Sequence, residues 1–324
     1  MKKFLALILV ALMICSAFVA CGPTSDTTDG ADVTDDANIT DSAENNETTG
    51  DVEENLPEDD DTKRFTKKQA VVLMGQSNMA GRGVASTVEP ISDERITMMR
   101  GTTGNYTFVP MVEPLHQDKK TAGVGLSASF AKAFVETFDQ ELCLIPCAYG
   151  GTSFEQWQPD STEKFSNYTG GKKNYQLYAN AVEMTKAAID QGYEICAILW
   201  HQGESGSAGD AEYDLKLKAL LDQFVADVGI DSNTIVIAGE LGPWKGEIEL
   251  NKALQRLAAT YPNYGVALSD GLPNNPNDTP HFLAPCYRVF GYRYFEQFYE
   301  TLTGKDCTYV YSQDYRNYMI KTAE

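Results

Sequence analysis

The chain holds 324 residues with 46 acidic against 26 basic side chains, a formal charge of −20, and 43% hydrophobic residues. That length and apolar content suffice for one substantial core, and the acid excess excludes the basic face that nucleic-acid binding needs. Three histidines and seven cysteines without a CxxC pair give no zinc-ligand pattern, and no cofactor motif is present.

Residues 1–20 read as an export signal: Lys2 and Lys3 precede an apolar run from Phe4 to Ala20. The run is slightly short for a membrane span of ~20 residues. Phe18-Val19-Ala20-Cys21-Gly22 resembles a bacterial lipoprotein signal. That resemblance implies cleavage before Cys21, lipidation of its sulfur, and an extracytoplasmic protein held on the cell membrane. The alternative is ordinary secretion with Cys21 inside the signal. Residues 21–62 then form an acidic tether. Between Gly22 and Thr62 stand 15 Asp or Glu and no Lys, Arg or aromatic residue, so the segment cannot bury enough apolar surface to order itself. Without signal and tether, residues 63–324 carry a charge of only −7.

Within 63–324, five apolar runs have the length and flanks of strands buried on both faces: Ala70–Met74, Leu142–Ala148, Ile195–Trp200, Thr234–Ala238 and Tyr264–Ser269. Helical spacing of apolar residues fills the gaps, at Leu126–Phe138, Leu177–Ile189, Leu217–Val228, Leu250–Tyr261 and Val289–Leu302. Strands alternating with helices call for right-handed βαβ units. The expectation is a three-layer α/β/α sandwich on a flavodoxin-like, five-stranded parallel sheet, with the strand tips along one edge. Residues 304–324 are read as either an edge element or a tail. Cys143, Cys147 and Cys196 fall in strand patterns and read as apolar filler. A Cys286–Cys307 bridge is left open.

Four strand tips carry chemistry. Gly75-Gln76-Ser77-Asn78-Met79-Ala80-Gly81 ends the first strand in a small, polar loop, where Ser77 is a candidate nucleophile. This is not the G-x-S-x-G elbow, because Asn78-Met79 follows the serine. Ala148-Tyr149-Gly150-Gly151-Thr152 ends the second in paired glycines whose amides could approach a ligand. Trp200-His201-Gln202-Gly203-Glu204-Ser205 ends the third. Asn277-Asp278-Thr279-Pro280-His281-Phe282 lies in a Pro- and Asn-rich loop before the last helix; Asp and His three apart can place a carboxylate on an imidazole nitrogen. His201 is a rival base and Asp270 a rival acid. His116, in the loop ahead of Gly123-Val124-Gly125, reads as a solvated loop residue that could touch substrate.

Together the four blocks resemble the SGNH hydrolases, and more narrowly the branch of carbohydrate esterase family 6 and sialate O-acetylesterase-like domains. The resemblance spans about residues 70–295. It implies an SGNH fold and a Ser77–His281–Asp278 triad. It also implies an oxyanion hole from the Ser77 amide, Gly150 or Gly151, and the Gln202 side chain. The closing block departs from the family pattern, with Thr279-Pro280 in place of Gly-Leu. Gln76, Asn78, Trp157 and Glu204 are candidate substrate contacts, Trp157 being equally a loop anchor and Glu204 more a brace. The implied reaction is removal of acetyl from O-acetylated carbohydrate, acetylxylan-type polysaccharide first and sialic acid second. The rival of another class is a tethered carbohydrate-binding protein that has lost activity; it would lack Ser77, Gln202 or His281, and all three are present. A thioesterase or phospholipase would prefer long acyl chains.

Overall fold

The computed structural model describes residues 60–245, 248–307 and 309; the signal, Cys21, nearly all of the acidic tether and most of 304–324 lie outside the described residues. The described residues begin slightly before the expected domain boundary at residue 63. Residues 60–62 belong to a short turn whose Asp61 carboxylate accepts a 2.7 Å hydrogen bond from the Tyr299 hydroxyl, so the folded body reaches back into the stretch assigned to the tether.

A seven-stranded sheet organises the body. Its strands are β1 (Gln69–Gly75), β2 (Ile96–Thr102), β3 (Asn105–Pro110), β4 (Leu142–Pro146), β5 (Glu194–His201), β6 (Ile235–Gly239) and β7 (Tyr264–Ala267). They lie in the order β3-β2-β4-β1-β5-β6-β7, all parallel except β3. The five strands read from sequence are the stretch β4-β1-β5-β6-β7, which is the 2-1-3-4-5 order of flavodoxin-like folds. The expected count of five is therefore corrected to seven. The missing pair forms the rim beyond β4, where burial is partial and β3 has no buried residue. An edge strand there needs no continuous apolar run, and Pro110 sits where only an edge tolerates it.

Helices cover both faces. On one, α2 (Ser127–Phe138) and α6 (Ala284–Thr303) pack against Val71 and Leu73 of β1. Their shared seam is aromatic: Phe130, Phe134 and Phe138 meet Phe298 with ring centroids 5.7 to 6.3 Å apart. Each such ring contributes roughly 1.5–3 kcal/mol through burial. On the opposite face, α3 (Leu177–Asp190), α4 (Tyr213–Val228) and α5 (Glu249–Ala258) pack against Ala70, Val72 and Met74. The alternation along β1 is that of a strand sandwiched between two cores. Two small elements complete the tip edge: α1 (Ser77–Ala80), and the antiparallel pair β8 (Asn274–Asn275) and β9 (Asp278–Phe282).

All five cysteines among the described residues are free thiols, and burial holds those of Cys147 and Cys286 up at about 12. None of the described helices is long and apolar enough to cross a membrane.

Candidate active site

The serine loop is fixed by the backbone of its neighbour strand. Gly75 ends β1 at φ +128°, and a Cβ there would stand 2.0 Å from the His201 carbonyl, so only glycine lets β1 turn against β5. The Gln76 amide donates to that same carbonyl at 2.8 Å. Ser77 follows as the first residue of α1, 6% exposed at the sheet edge.

Asn78 makes the loop rigid. Its Nδ2 donates to the Glu204 carboxylate and, at 3.0 Å, to the Pro280 carbonyl; its Oδ1 accepts from the Tyr287 hydroxyl at 2.6 Å. Every polar atom of that side chain is thus taken up by protein. Glu204 Oε1 also lies 3.0 Å from His201 Nε2. Burial alone would raise the Glu204 pKa, but the His201 contact and the Asn78 hydrogen bond outweigh it and leave the carboxyl below its ordinary range. With Glu204 ionised, His201 Nε2 carries the donated proton and Nδ1 faces the Tyr294 hydroxyl at 3.1 Å.

Of the expected substrate contacts, Gln76 is 1% exposed with its Oε1 free of protein partners, while Asn78, 0% exposed, and the Glu204 side chain, 4% exposed, are engaged in one hydrogen-bond network. Trp157 is 0% exposed and packs edge-on against Trp200 at 5.5 Å, with its Nε1 donating to Thr152 Oγ1. It is a core anchor, because an indole facing the second face of the sheet excludes more water there than in a cleft. His201 is fully buried between Glu204 and Tyr294, which removes it as a rival base.

The fourth motif is a strand hairpin, not a loop: Asp278 and His281 both stand on β9, immediately before α6. Asp278 Oδ2 lies 2.8 Å from His281 Nδ1, a close contact outside hydrogen-bond angles. Side-chain exposure is 46% for Asp278 and 14% for His281. Asp270 is exposed, and its carbonyl accepts from Arg293 at 2.7 Å. Because Asn78 holds Pro280, the segment bearing His281 is latched to the residue after Ser77.

The amide donors divide. Gly150 N donates to Asp118 Oδ2 at 2.9 Å, and the same oxygen receives Arg82 Nη2 at 2.5 Å. A Cβ at Gly150 would fall 2.1 Å from that guanidinium, so this glycine exists to admit Arg82. The expectation that Gly150 supplies an oxyanion amide is corrected: its N–H is spent on Asp118. Gly151 is exposed, and among the described residues neither its N–H nor that of Ser77 has a protein partner. Gln202 is 1% exposed; its Nε2 donates to the Thr152 carbonyl at 3.2 Å and its Oε1 accepts from Tyr213 at 2.6 Å. That leaves one of its two N–H groups uncommitted.

Sequence reading missed Arg82 and Asp118. Their buried pair, 4% and 1% side-chain exposed, joins the serine loop to the glycine loop. The only signal was Arg82 standing between two glycines; Asp118, between Gln117 and Lys119, gave none. It also misplaced His116, which is buried at 1% exposure, with burial pushing its pKa down to about 3. Among the described residues no group of three or more His, Cys, Asp or Glu could hold a metal.

A mostly parallel α/β sandwich that gathers its polar loops at one sheet edge is the architecture of an SGNH-like hydrolase. The chain belongs to the SASA family, described as carbohydrate esterase, sialic acid-specific acetylesterase, whose profile spans residues 67–300. It is a carbohydrate esterase. It is 31% identical over 188 residues to the "Probable carbohydrate esterase At4g34215" of Arabidopsis thaliana, covering 52% of this chain and 67% of that one. The X-ray structure of the Arabidopsis protein aligns with a TM-score of 0.62 at 24% identity, over 74% of this chain and all of that one. NanS aligns at 0.57 with 13% identity, over 74% and 98% of the two chains. A carbohydrate acetylesterase from Xanthomonas citri aligns at 0.53 with 16% identity, over 75% and 58%. These structures share the fold.

Proposed function

We propose that the protein removes acetyl groups from O-acetylated carbohydrate through a covalent acetyl-serine, with acetylxylan-type polysaccharide as the substrate. Ser77 Oγ attacks the ester carbonyl while His281 takes its proton. Asp278, facing Nδ1, orients the ring and supports the imidazolium. The Ser77 and Gly151 amides and the free Gln202 N–H stabilise the oxyanion. His281 returns the proton to the departing sugar hydroxyl, and water then releases acetate by the reverse sequence. The observation that supports this most is the latch of Asn78 onto Pro280, which sets the serine and histidine segments side by side.

The family's description favours one second reading, an esterase for O-acetylated sialic acid. A test separates the readings: acetate release from acetylated xylo-oligosaccharides and from O-acetyl sialic acid, by wild type and Ser77→Ala. Release from the xylo-oligosaccharides that disappears in Ser77→Ala supports the proposal. Release from sialic acid alone moves it to the second reading, and equal rates in wild type and Ser77→Ala end both. We further propose that Cys21 carries a lipid that tethers the esterase outside the cytoplasm. Radiolabelled palmitate should enter the wild type and not Cys21→Ser.

A further inference from the structure

Consecutive glycines leave a backbone freer than any other pair, yet an oxyanion donor is effective only when it is oriented before the reaction begins. Around Gly151 the chain restrains that freedom from both sides. On the near side the Tyr149–Gly150 peptide is held at both ends: its carbonyl accepts from Thr152 Oγ1 at 2.9 Å, and its N–H donates to Asp118 Oδ2 at 2.9 Å. The Tyr149 N–H donates to the Gly75 carbonyl at 3.0 Å, which ties the glycine loop to the end of β1. On the far side the Thr152–Ser153 peptide is held by Gln202 Nε2 at its carbonyl, 3.2 Å away, and by Gln156 Oε1 at its N–H, 2.8 Å away. Between these two anchored peptides stands the Gly151 N–H, with no protein partner among the described residues.

Asp118 is the charged member of this set. Its side chain is 1% exposed, and it bonds the residue next to a donor meant for a developing negative charge. Alone, a buried carboxylate there would oppose that charge. Arg82 answers it: Nη2 lies 2.5 Å from the same Oδ2, while Nη1 donates to the Gly81 carbonyl at 2.7 Å. A buried ion pair of this kind is often no more stabilising than apolar residues of similar volume, so stability alone does not account for it. What an apolar pair could not do is accept the Gly150 amide.

We infer that Asp118 is a positioning residue for the reaction: by holding the Gly150 amide it orients the Gly151 N–H toward the oxyanion, with Arg82 cancelling its charge. This inference rests on the reading of the chain as a serine esterase with Gly151 as an oxyanion donor, and it gives the two glycines separate tasks.

The test compares two double variants, Arg82→Met/Asp118→Asn and Arg82→Met/Asp118→Leu, in steady-state kinetics on p-nitrophenyl acetate. Neither strands a charge. The asparagine can set its carbonyl oxygen where Oδ2 stood and its nitrogen where Oδ1 stood, an oxygen without a hydrogen-bond partner, so the acceptor for Gly150 is kept in one variant and lost in the other. The asparagine variant should show a kcat at least about tenfold higher, with KM within about threefold, because a misdirected donor loses transition-state contacts and not substrate binding. A boronic acid gives a second readout: its boron bonds Ser77 Oγ as the serine proton passes to His281, leaving a tetrahedral anion in the oxyanion hole. It should bind the asparagine variant at least about tenfold more tightly. A role confined to holding the fold would change stability and leave kcat per folded molecule alike in the two variants. Should the leucine variant fail to fold, Arg82→Met/Asp118→Ala is measured in its place. Equal kcat and equal boronic-acid affinity, or a difference confined to KM, overturns the inference. It does so alone if the wild type hydrolyses the ester and Ser77→Ala does not. A wild type no faster than Ser77→Ala removes the esterase reading, and the inference with it.

Discussion

Asn78 Nδ2 donates a 3.0 Å hydrogen bond to the Pro280 carbonyl, tying the residue after Ser77 to the residue before His281 across 202 positions of chain. The same side chain binds Glu204 and Tyr287, so one asparagine sets the spacing of three loops. Asn78→Ala should orphan a buried hydroxyl and a carbonyl and leave Glu204 Oε1 with His201 alone, at about 1–3 kcal/mol for each orphaned group that water cannot reach. Loosened spacing should also lower kcat by up to about 100-fold. Urea denaturation and initial rates on p-nitrophenyl acetate measure the two effects.

The Arg82–Asp118 pair predicts an asymmetry. Arg82→Met leaves a buried carboxylate and should destabilise the protein by about 3–5 kcal/mol. Replacing both partners, Arg82→Met with Asp118→Leu, should cost less than the single change, because no charge is stranded. Chemical denaturation of the two single variants and the double variant closes the cycle.

His116 makes stability depend on acid. Its folded pKa of about 3 lies below the ordinary 6.5, because burial disfavours the imidazolium. The unfolded chain therefore binds the extra proton between those values. Stability is full above 6.5 and drains as pH falls toward about 3, with a slope approaching 1.4 kcal/mol per unit. Glu204, whose carboxyl pKa is lowered, withdraws its contribution only below its ordinary 4.5, as pH falls through the folded value. Melting midpoints at about pH 7.5 and about pH 5 should consequently fall less in His116→Gln than in wild type.

Much of this was legible in the sequence, for a physical reason. Strands buried on both faces must be continuously apolar, so β1, β4, β5, β6 and β7 stood out, and the loops after them carried unusual small and polar residues. β2 and β3 did not stand out, because β2 is buried at only Ile96, Met98 and Met99 and β3 at no position, so both mix Thr, Arg and Asn with their apolar residues. Side-chain environment was harder still. Trp157 and Asn78 are residue types that serve clefts and cores alike, and only tertiary contacts decide between them. The loss of the Gly150 amide to Asp118 depends on residues 32 positions apart and leaves no local trace.

Gln202 holds Thr152 with one N–H and has a second to offer. Gln202→Leu should lower kcat about 10²- to 10³-fold, or about 2.7–4 kcal/mol of transition-state stabilisation, with KM little changed. A fall confined to KM would show that the amide binds substrate and transition state alike. Steady-state kinetics on p-nitrophenyl acetate make the distinction.

The central claim is that Ser77 becomes the acylated residue with His281 as its base, and a fluorophosphonate ester tests it most directly. Intact-mass measurement followed by peptide mapping should find one adduct per chain, on Ser77, absent in Ser77→Ala and at least about 100-fold slower to form in His281→Ala. An adduct on another residue, or labelling of Ser77 at an undiminished rate without His281, would contradict the account.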